Sequence, residues 1–162
     1  MGQPSQLLQL AYAAQKRLWR WLRPHTRGVK VMLFNDADEL LLIRNAYGNQ
    51  QLFVLPGGGM RPWENAAECA KREIREELGC AIDDLRPLAV YSSNAEGKRD
   101  TVHLFEGRCL GKIRTDDHEV AEARFFSLSV LPDATSPATL RRIDESSGKK
   151  ALSEQWQDAG GL

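Results

Sequence analysis

The residues whose types and spacing best suit a chemical function are acidic and lie near the middle of the chain. Glu73, Glu76 and Glu77 are spaced i, i+3 and i+4, so on a helix their carboxylates share one edge. Carboxylates placed in this way repel each other unless a cation lies among them. Hard oxygen ligands favour Mg²⁺, with Mn²⁺ as a substitute. The spacing therefore predicts a divalent metal site, and a solvated acidic helix face is the ordinary alternative.

Three consecutive glycines, Gly57, Gly58 and Gly59, precede the predicted helix. Because they carry no side chains, the backbone can approach the helix closely and offer a main-chain carbonyl as a further ligand. Metals that bridge diphosphate oxygens neutralise developing charge and acidify a bound water, which attacks phosphorus. The glycines and the acidic edge together indicate phosphoryl or nucleotidyl transfer to water.

Residues 56–80, PGGGMRPWENAAECAKREIREELGC, resemble the Nudix box, whose pattern is G-x(5)-E-x(7)-R-E-U-x-E-E-x-G-U with U apolar. The fixed positions of this pattern fall on Gly58, Glu64, Arg72, Glu73, Ile74, Glu76, Glu77 and Gly79. Cys80 takes the last slot, where the family usually has an aliphatic residue, and a small apolar thiol is a mild departure. The chain is similar to the Nudix hydrolases, with the sharp match confined to this box.

The resemblance implies a role for each matching residue. Metal-ligand roles pass to Gly58, Glu73, Glu76 and Glu77. Glu76 acts as ligand or base, and Arg72, four residues before it, is an orienting residue that braces its carboxylate.

A further acid outside the box often completes such sites, as a base or an extra ligand. The resemblance favours Glu119, which stands shortly before the last predicted strand, where family members commonly place this acid. Glu122 is its competitor. A position in a surface loop without a catalytic role is the alternative for both.

The implied activity is Mg²⁺-dependent hydrolysis of a diphosphate bond in a nucleoside diphosphate linked to another moiety, by attack of metal-activated water. One alternative is a non-catalytic Nudix-fold module that binds nucleotides or regulates. Another is an isomerase of isoprenoid diphosphates, which shares the fold and needs a reactive cysteine. No such residue can be singled out among Cys69, Cys80 and Cys109.

Substrate contacts are predicted from side-chain chemistry alone. Arg44 at a strand end, Arg61 in the box loop and Lys98 at a hairpin tip are candidates for binding phosphate, with a solvated surface charge as the alternative. Phe53 and Trp63 are candidates for stacking on a base, with packing as the alternative. The identity of the substrate is not encoded in these residues.

Length and composition are those of one ordinary globular domain of 162 residues, with 22 basic and 22 acidic side chains. This balance gives no strong sign of nucleic-acid binding, and no apolar run is long enough to span a membrane. Three cysteines without metal-binding spacing indicate reduced thiols in a cytoplasmic protein.

The N-terminus, residues 1–27, is predicted to contain a basic amphipathic helix at 5–23. Packing on the domain or on a second subunit, as in a homodimer, is favoured over binding to a membrane surface or RNA, because the apolar stripe would otherwise be exposed. Residues 28–145 form the predicted Nudix domain, and residues 146–162 a loose tail.

Six short apolar runs predict strands, at residues 29–34, 39–44, 52–55, 85–92, 100–109 and 123–128. The box predicts one helix, capped by Asn65 with Glu68, and Ser136-Pro137 predicts the start of another that ends near Glu145. Strands on both sides of a central helix predict an α+β domain. The resemblance implies the same class, an α/β/α sandwich with a mixed sheet.

Overall fold

The structure, a computed structural model, describes residues 25–48, 50–93, 99–115 and 119–156. The predicted N-terminal helix at 5–23 and the predicted hairpin tip at 94–98, which includes Lys98, lie outside these ranges. The proposed domain limits at 27/28 and 145/146 stay predictions.

Five strands build one mixed sheet. Their bounds are β1 His25–Phe34, β2 Leu40–Asn45, β3 Ala81–Ser93, β4 Arg99–Leu110 and β5 Val120–Phe126. In the sheet they lie in the order β3-β4-β1-β2-β5, with β1 and β4 parallel and the other neighbours antiparallel. The predicted hairpin between β1 and β2 is confirmed, since the Asn35 side chain accepts hydrogen bonds from the backbone of Ala37 and Glu39 in the turn.

In the described part of the chain, two helices accompany the sheet, α1 at Ala66–Leu78 and α2 at Pro137–Ser146. The predicted capping of α1 is confirmed, because the side chain of Asn65 accepts from the Glu68 N–H and the Glu68 carboxylate accepts from the Asn65 N–H. Gly79 ends α1 in the left-handed conformation, at φ 64°. Ser136 caps α2 in the predicted way.

A hydrophobic cluster lies on each face of the sheet. In β1 the side chains of Val29, Val31 and Leu33 belong to one cluster, together with Ala70 and Ile74 of α1. Burial of each such large side chain contributes about 1.5–3 kcal/mol to folding. This face therefore fixes α1, and with it the acidic edge, against the sheet.

The second cluster occupies the opposite face. Met32 of β1, Leu40 and Leu42 of β2, and Ile143 of α2 meet there around Phe53. The alternation of β1 residues between the two clusters follows from the two-residue period of a strand. The predicted α/β/α sandwich is confirmed.

The predicted strand at 52–55 is wrong. Only single bridge pairs form there, between Val54 and Ile43 and between Phe53 and Thr135. Pro56 has no N–H with which to continue a ladder. From this proline the chain becomes a glycine loop, residues 56–59, that lies along β1, with hydrogen bonds of 3.0 Å from Val31 N to Pro56 O and 2.9 Å from Val29 N to Gly58 O.

Strand β3 begins earlier and β5 ends earlier than predicted. Pairing of β3 with β4 continues through two irregularities, at Asp83/Arg86 and Pro87/Ala89, so the strand extends back to Ala81. At the other end of the sheet, β5 follows β2 only as far as Phe126. No helix in the described ranges has the length and apolar character needed to cross a membrane.

Candidate active site

Arg72 of α1 is the centre of a charged network that fixes the box residues. Its guanidinium binds Glu64 in a fork, with 2.7 Å from Nε to Oε1 and 2.9 Å from Nη2 to Oε2. The same group donates to Glu73 at 2.6 Å, to Glu76 at 2.9 Å and to the carbonyl of Gly59 at 3.0 Å. The predicted contact with Glu76 is present, and it is one of five, since the guanidinium also donates to the Cys69 sulfur at 3.5 Å.

Glu64 anchors this network from the loop that precedes α1. Its hydrogen bond from Arg72, supported by one of 3.1 Å from the Arg61 N–H, lowers the pKa of the Glu64 carboxyl to about 2. The carboxylate is therefore ionised throughout the neutral range. Sequence reasoning placed Glu64 in this loop but did not pair it with Arg72, because nothing in their spacing shows that the loop folds back over the helix.

Glu77 is the most buried of the acidic residues on α1. Burial raises the pKa of its carboxyl to about 7, and the charges of Glu73 and Glu119 act in the same direction. The positive charge of Lys30 and a hydrogen bond of 3.1 Å from the Gly57 N–H to Oε2 partly oppose this rise. The positive charge near Glu77 is therefore too small to offset burial and the neighbouring carboxylates, and a bound cation would stabilise the ionised form.

Glu73 lies beside Glu77 and is also largely buried. Burial raises the pKa of its carboxyl, although the Arg72 hydrogen bond opposes that effect. The backbone at Gly58 is so close that a Cβ built there would lie 2.5 Å from the Glu73 carboxyl carbon. The expected close approach of glycine backbone to the helix is confirmed.

Lys30 of β1 is a residue of this site that sequence reasoning missed. Its Nζ donates to the carbonyls of Leu55 at 2.9 Å and Gly57 at 3.3 Å. Burial lowers the pKa of the Lys30 ammonium, and the charges of Glu77 and Glu73 oppose that change. The available signal was a single charged residue inside the apolar run of β1, which marks a buried charge that needs a partner.

Glu76 is the most exposed of the three carboxylates on the helix edge, and it shares Nη1 of Arg72 with Glu73. Its side chain is 50 % exposed and binds two arginines, Arg72 at 2.9 Å and Arg61 at 3.3 Å. Across the described ranges, no three side chains of His, Cys, Asp or Glu are grouped so as to hold a metal ion. Glu73 and Glu77 contact the glycine loop, whereas Glu76 is linked to Glu73 through Arg72.

Glu119, which immediately precedes β5, belongs to the same region. Its carbonyl accepts a hydrogen bond of 2.9 Å from Ala46 N, which fixes its backbone at the end of β2. Its charge raises the pKa values of Glu73 and Glu77. Tyr47 lies there too, because after burial the charge of Glu119 is the main cause that raises the pKa of its hydroxyl.

Comparisons with known proteins identify the family of this domain. The family model of the NUDIX domain matches residues 24–146. This chain belongs to the Nudix family. A Bacillus subtilis (strain 168) relative described as a "Putative 8-oxo-dGTP diphosphatase" is 30 % identical over 138 residues, which are 84 % of this chain and 90 % of that protein. The chain is accordingly a Nudix hydrolase, an enzyme of the pyrophosphohydrolase type.

One further sequence relative and one solved structure are also similar to this Nudix domain. The NAD-capped RNA hydrolase NudC of Pseudomonas aeruginosa (strain LESB58) is 26 % identical over 113 residues, 69 % of this chain and 40 % of that protein. A crystal structure of a MutT NUDIX hydrolase from Burkholderia pseudomallei superposes with a TM-score of 0.67 at 24 % identity, covering 74 % of this chain and 96 % of the other. The latter likeness establishes the fold.

The Nudix domain does not place the predicted substrate residues in one site. Arg44 forms an ion pair with Glu122, and its guanidinium lies 5.2 Å from the centre of the Phe53 ring. Phe53 is only 7 % exposed and packs edge-on against Phe126 at 5.1 Å, so its faces are not offered to a base. Glu122, the competitor of Glu119, is thus engaged by Arg44.

Arg61 and Trp63 lie in the loop between the glycines and α1. Arg61 is half-exposed and is bound to Glu76, which keeps its guanidinium at the acidic edge. Trp63 is 81 % exposed. Both side chains are therefore accessible at the carboxylate side of the Nudix domain.

A cleft of ≈ 900 Å³ opens beside the glycine loop. It is lined by β1, β4, the end of β3 and the start of α2, and Lys30 stands at its boundary with the loop. None of the three acidic residues of the helix edge lines it. The glycine loop thus lines the cleft and also contacts the paired carboxylates Glu73 and Glu77.

Proposed function

We propose that this Nudix hydrolase cleaves a diphosphate bond in a nucleoside diphosphate linked to another moiety, and that it requires Mg²⁺, for which Mn²⁺ can substitute. The observation that carries the proposal is the pairing of two desolvated carboxylates, Glu73 and Glu77, across the glycine loop from a cleft of nucleotide size. Pockets for such ligands typically have volumes of about 300–1,000 Å³.

The residues present fit a divalent cation. Two carboxylates with raised pKa values lie together, and neutralising them by a cation relieves both desolvation and mutual repulsion. Their donors are hard oxygens, which suit Mg²⁺ and Mn²⁺. We assign the cation to Glu73, Glu77 and Glu76, with the Gly58 carbonyl, which already accepts one hydrogen bond from Val29 and retains a second lone pair.

A bound cation would neutralise charge on the diphosphate and lower the pKa of water at the site. The protein positions its own groups for this chemistry. Arg72 holds Glu73 and Glu76 by direct hydrogen bonds, while Glu64 holds Arg72 from behind. Arg72 is therefore a positioning residue. Its two hydrogen bonds to Glu64 and its bond to the Gly59 carbonyl hold the acidic edge of the helix beside the glycine loop.

We assign the general base to Glu119 rather than to Glu122. The charge of Glu119 acts on both Glu73 and Glu77, whereas Glu122 is bound to Arg44 and lies 3.6 Å from Arg124. No ion pair of Glu119 is found among the residues that the structure describes, whereas the arginine bound to Glu122 stabilises the ionised form of that carboxylate and makes it a weaker proton acceptor. Glu119 would take the proton from the attacking water onto its carboxylate.

The cleft is the proposed site of the nucleoside. Lys30 at its boundary brings a positive charge next to the glycine loop, where the phosphates must pass to reach Glu73 and Glu77. The substrates in the names of the relatives, 8-oxo-dGTP and NAD-capped RNA, are both nucleotides with phosphoanhydride bonds. These names support a nucleotide as the class of substrate, and they do not identify its base.

The cysteine-dependent alternative has no support in the site. Cys69 and Cys80 are buried, and burial raises the pKa of each thiol to about 12. Both thiols are therefore neutral near pH 7 and enclosed, which is the opposite of a reactive cysteine.

The test is hydrolysis of a panel of nucleotides, including triphosphates, nucleotide sugars and dinucleotides, with Mg²⁺, with Mn²⁺ and with a chelator. The Glu77→Gln variant controls for contaminating hydrolases, and Glu68→Gln is its matched control on the same helix, because glutamine also completes a capping box. We expect metal-dependent turnover by the wild type and by Glu68→Gln, and a loss of about two orders of magnitude or more in Glu77→Gln. Nucleotide binding without turnover of any compound would instead establish the non-catalytic alternative.

A further inference from the structure

The chain returns to the sheet after α2 as a short segment, residues 153–156, which we name the C-terminal strap. Its backbone pairs with the end of β3 through two hydrogen bonds, 2.8 Å from Ser92 N to Glu154 O and 2.7 Å from Trp156 N to Ser92 O. The strap therefore prolongs the sheet beyond β3 at the point where the cleft opens.

Arg142 of α2 anchors the strap from inside. Its side chain is 0 % exposed and donates to the carbonyl of Gln155 at 3.0 Å and to the hydroxyl of Ser153 at 3.1 Å. Glu145 accepts from Arg142 at 2.9 Å and from the Ser153 backbone N–H at 3.1 Å. A buried arginine is costly unless its charge is paired, and here acceptors from the strap and from α2 bind its two Nη atoms.

Trp156 ends the strap and lines the cleft. The centre of its ring lies 5.5 Å from that of Tyr91 in an edge-on contact, and the Arg142 guanidinium lies 5.3 Å from it. Tyr91 is itself fixed by a hydrogen bond of 2.9 Å from its hydroxyl to Glu145. A partly exposed indole is thus held at the cleft by two buried side chains, those of Tyr91 and Arg142.

We propose that Trp156 is a substrate-binding residue, a wall of the cleft on which the base of the nucleotide stacks. This inference rests on the proposed function for the phosphates, and it adds that recognition of the base comes from the C-terminal strap rather than from Phe53. Stacking on an indole suits any planar base, and a substrate that carries only phosphate gains nothing from it.

A polar group in the same cleft supports a planar ligand with hydrogen-bonding edges. The hydroxyl of Thr26 is buried and has no hydrogen-bond partner among the residues that the structure describes. Thr26 lines the cleft on β1, opposite Asp100 of β4 in the parallel register. A buried hydroxyl without a partner is unfavourable, and a base edge placed against the indole would supply one.

The experiment is calorimetric titration of ADP, GDP, CDP and UDP, with inorganic pyrophosphate as a probe that has phosphates and no base. The proteins are the wild type, Trp156→Ala, Trp156→Phe and, as a matched control, Leu152→Ala, which removes an exposed apolar side chain close to the strap that does not line the cleft. For the best nucleotide we expect Kd to rise about ten-fold in Trp156→Ala and to stay within about three-fold of wild type in Trp156→Phe. Pyrophosphate binding should be equal in all four proteins.

Three results would overturn the inference: an unchanged nucleotide Kd in Trp156→Ala, an equal loss of pyrophosphate binding, or no nucleotide binding by a wild type that binds pyrophosphate. The second of these would show that Trp156 only supports the fold of the site. Absence of turnover in the wild type would refute the proposed function, yet tighter nucleotide binding that depends on Trp156 would still confirm the inference.

Discussion

Gly58 and Glu73 are in such close contact that a larger residue at position 58 would displace the Glu73 carboxylate. A Cβ there would lie 2.5 Å from both the carboxyl carbon and Oε2 of Glu73. The glycine is required by the position of a functional side chain, since real Cβ atoms do not come within 3.0 Å of such neighbours. The absence of a side chain at Gly58 therefore determines where the Glu73 carboxylate can lie.

We expect Gly58→Ala to reduce kcat by at least about ten-fold, because the added methyl group must displace the Glu73 carboxylate from the proposed metal site. The fold should persist, with Tm only a few degrees lower, since a side chain can move more easily than the backbone around it. The measurement is steady-state kinetics with saturating Mg²⁺, accompanied by thermal unfolding.

Gly59→Ala is the control for that experiment, because a Cβ at Gly59 would have no neighbour within 4 Å. Its kcat should equal that of the wild type. Equal activity of both variants would show that the position of Glu73 is not important for turnover.

Arg72→Lys should impair turnover although the charge is kept. The guanidinium fork binds both oxygens of Glu64 and also reaches Glu73 and Glu76, and a lysine ammonium cannot reproduce that planar geometry. We expect kcat to fall by about ten-fold or more, as is typical when positioning is lost. Arg75→Lys, an exposed change on the same helix, should have no effect. Equal activity in the two variants would mean that charge at position 72 suffices.

The sequence predicts those parts of the molecule that depend on local spacing. The capping box of Asn65 and Glu68, the helix edge with three carboxylates and the sandwich all follow from residue periodicity and from the box. The contact of Arg72 with Glu76 follows too, because i and i+4 positions meet on any helix.

The parts that escaped prediction depend on contacts between distant segments. Lys30 belongs to the site only because the glycine loop lies along β1. Glu76 gains a second arginine, Arg61, only because the preceding loop folds back to the helix edge. Phe53 is buried because the segment at 52–55 crosses from β2 to α2 by single bridges instead of forming an edge strand. None of these contacts leaves a periodic signal in the sequence.

Lys30→Met should raise the pKa of Glu77 above about 7. The positive charge of Lys30 lowers this pKa in the wild type, although burial has the larger, opposite effect. Without that charge the protonated carboxyl is favoured up to a higher pH. The measurement is an NMR titration of ¹³C-labelled glutamate carboxyls in protein kept free of divalent metal. Lys71→Met on the exposed side of α1 should leave the titration unchanged, and a lower pKa in Lys30→Met would contradict the prediction.

The Glu145 network should make stability depend on pH in acid solution. Burial acts to raise the pKa of this carboxyl, but hydrogen bonds from Tyr91 and Arg141 and the charge of Arg142 outweigh it, so that the pKa is lower than in the unfolded chain. The ionised group therefore contributes stability above an unfolded pKa of about 4.3, and this contribution is lost as pH falls through the folded pKa.

We expect Glu145→Gln to lower the free energy of unfolding by about 3 kcal/mol at pH 7, because it leaves the buried Arg142 without its counterion. As pH falls through the lowered folded pKa of Glu145, the difference from wild type should shrink, since the wild-type carboxyl is then increasingly protonated. Urea unfolding at several pH values measures both quantities. Asp144→Asn, which removes the neighbouring and more exposed pair with Lys150, should cost at most about 1 kcal/mol. A difference between wild type and Glu145→Gln that is independent of pH would show that the side chain acts by packing and not by its charge.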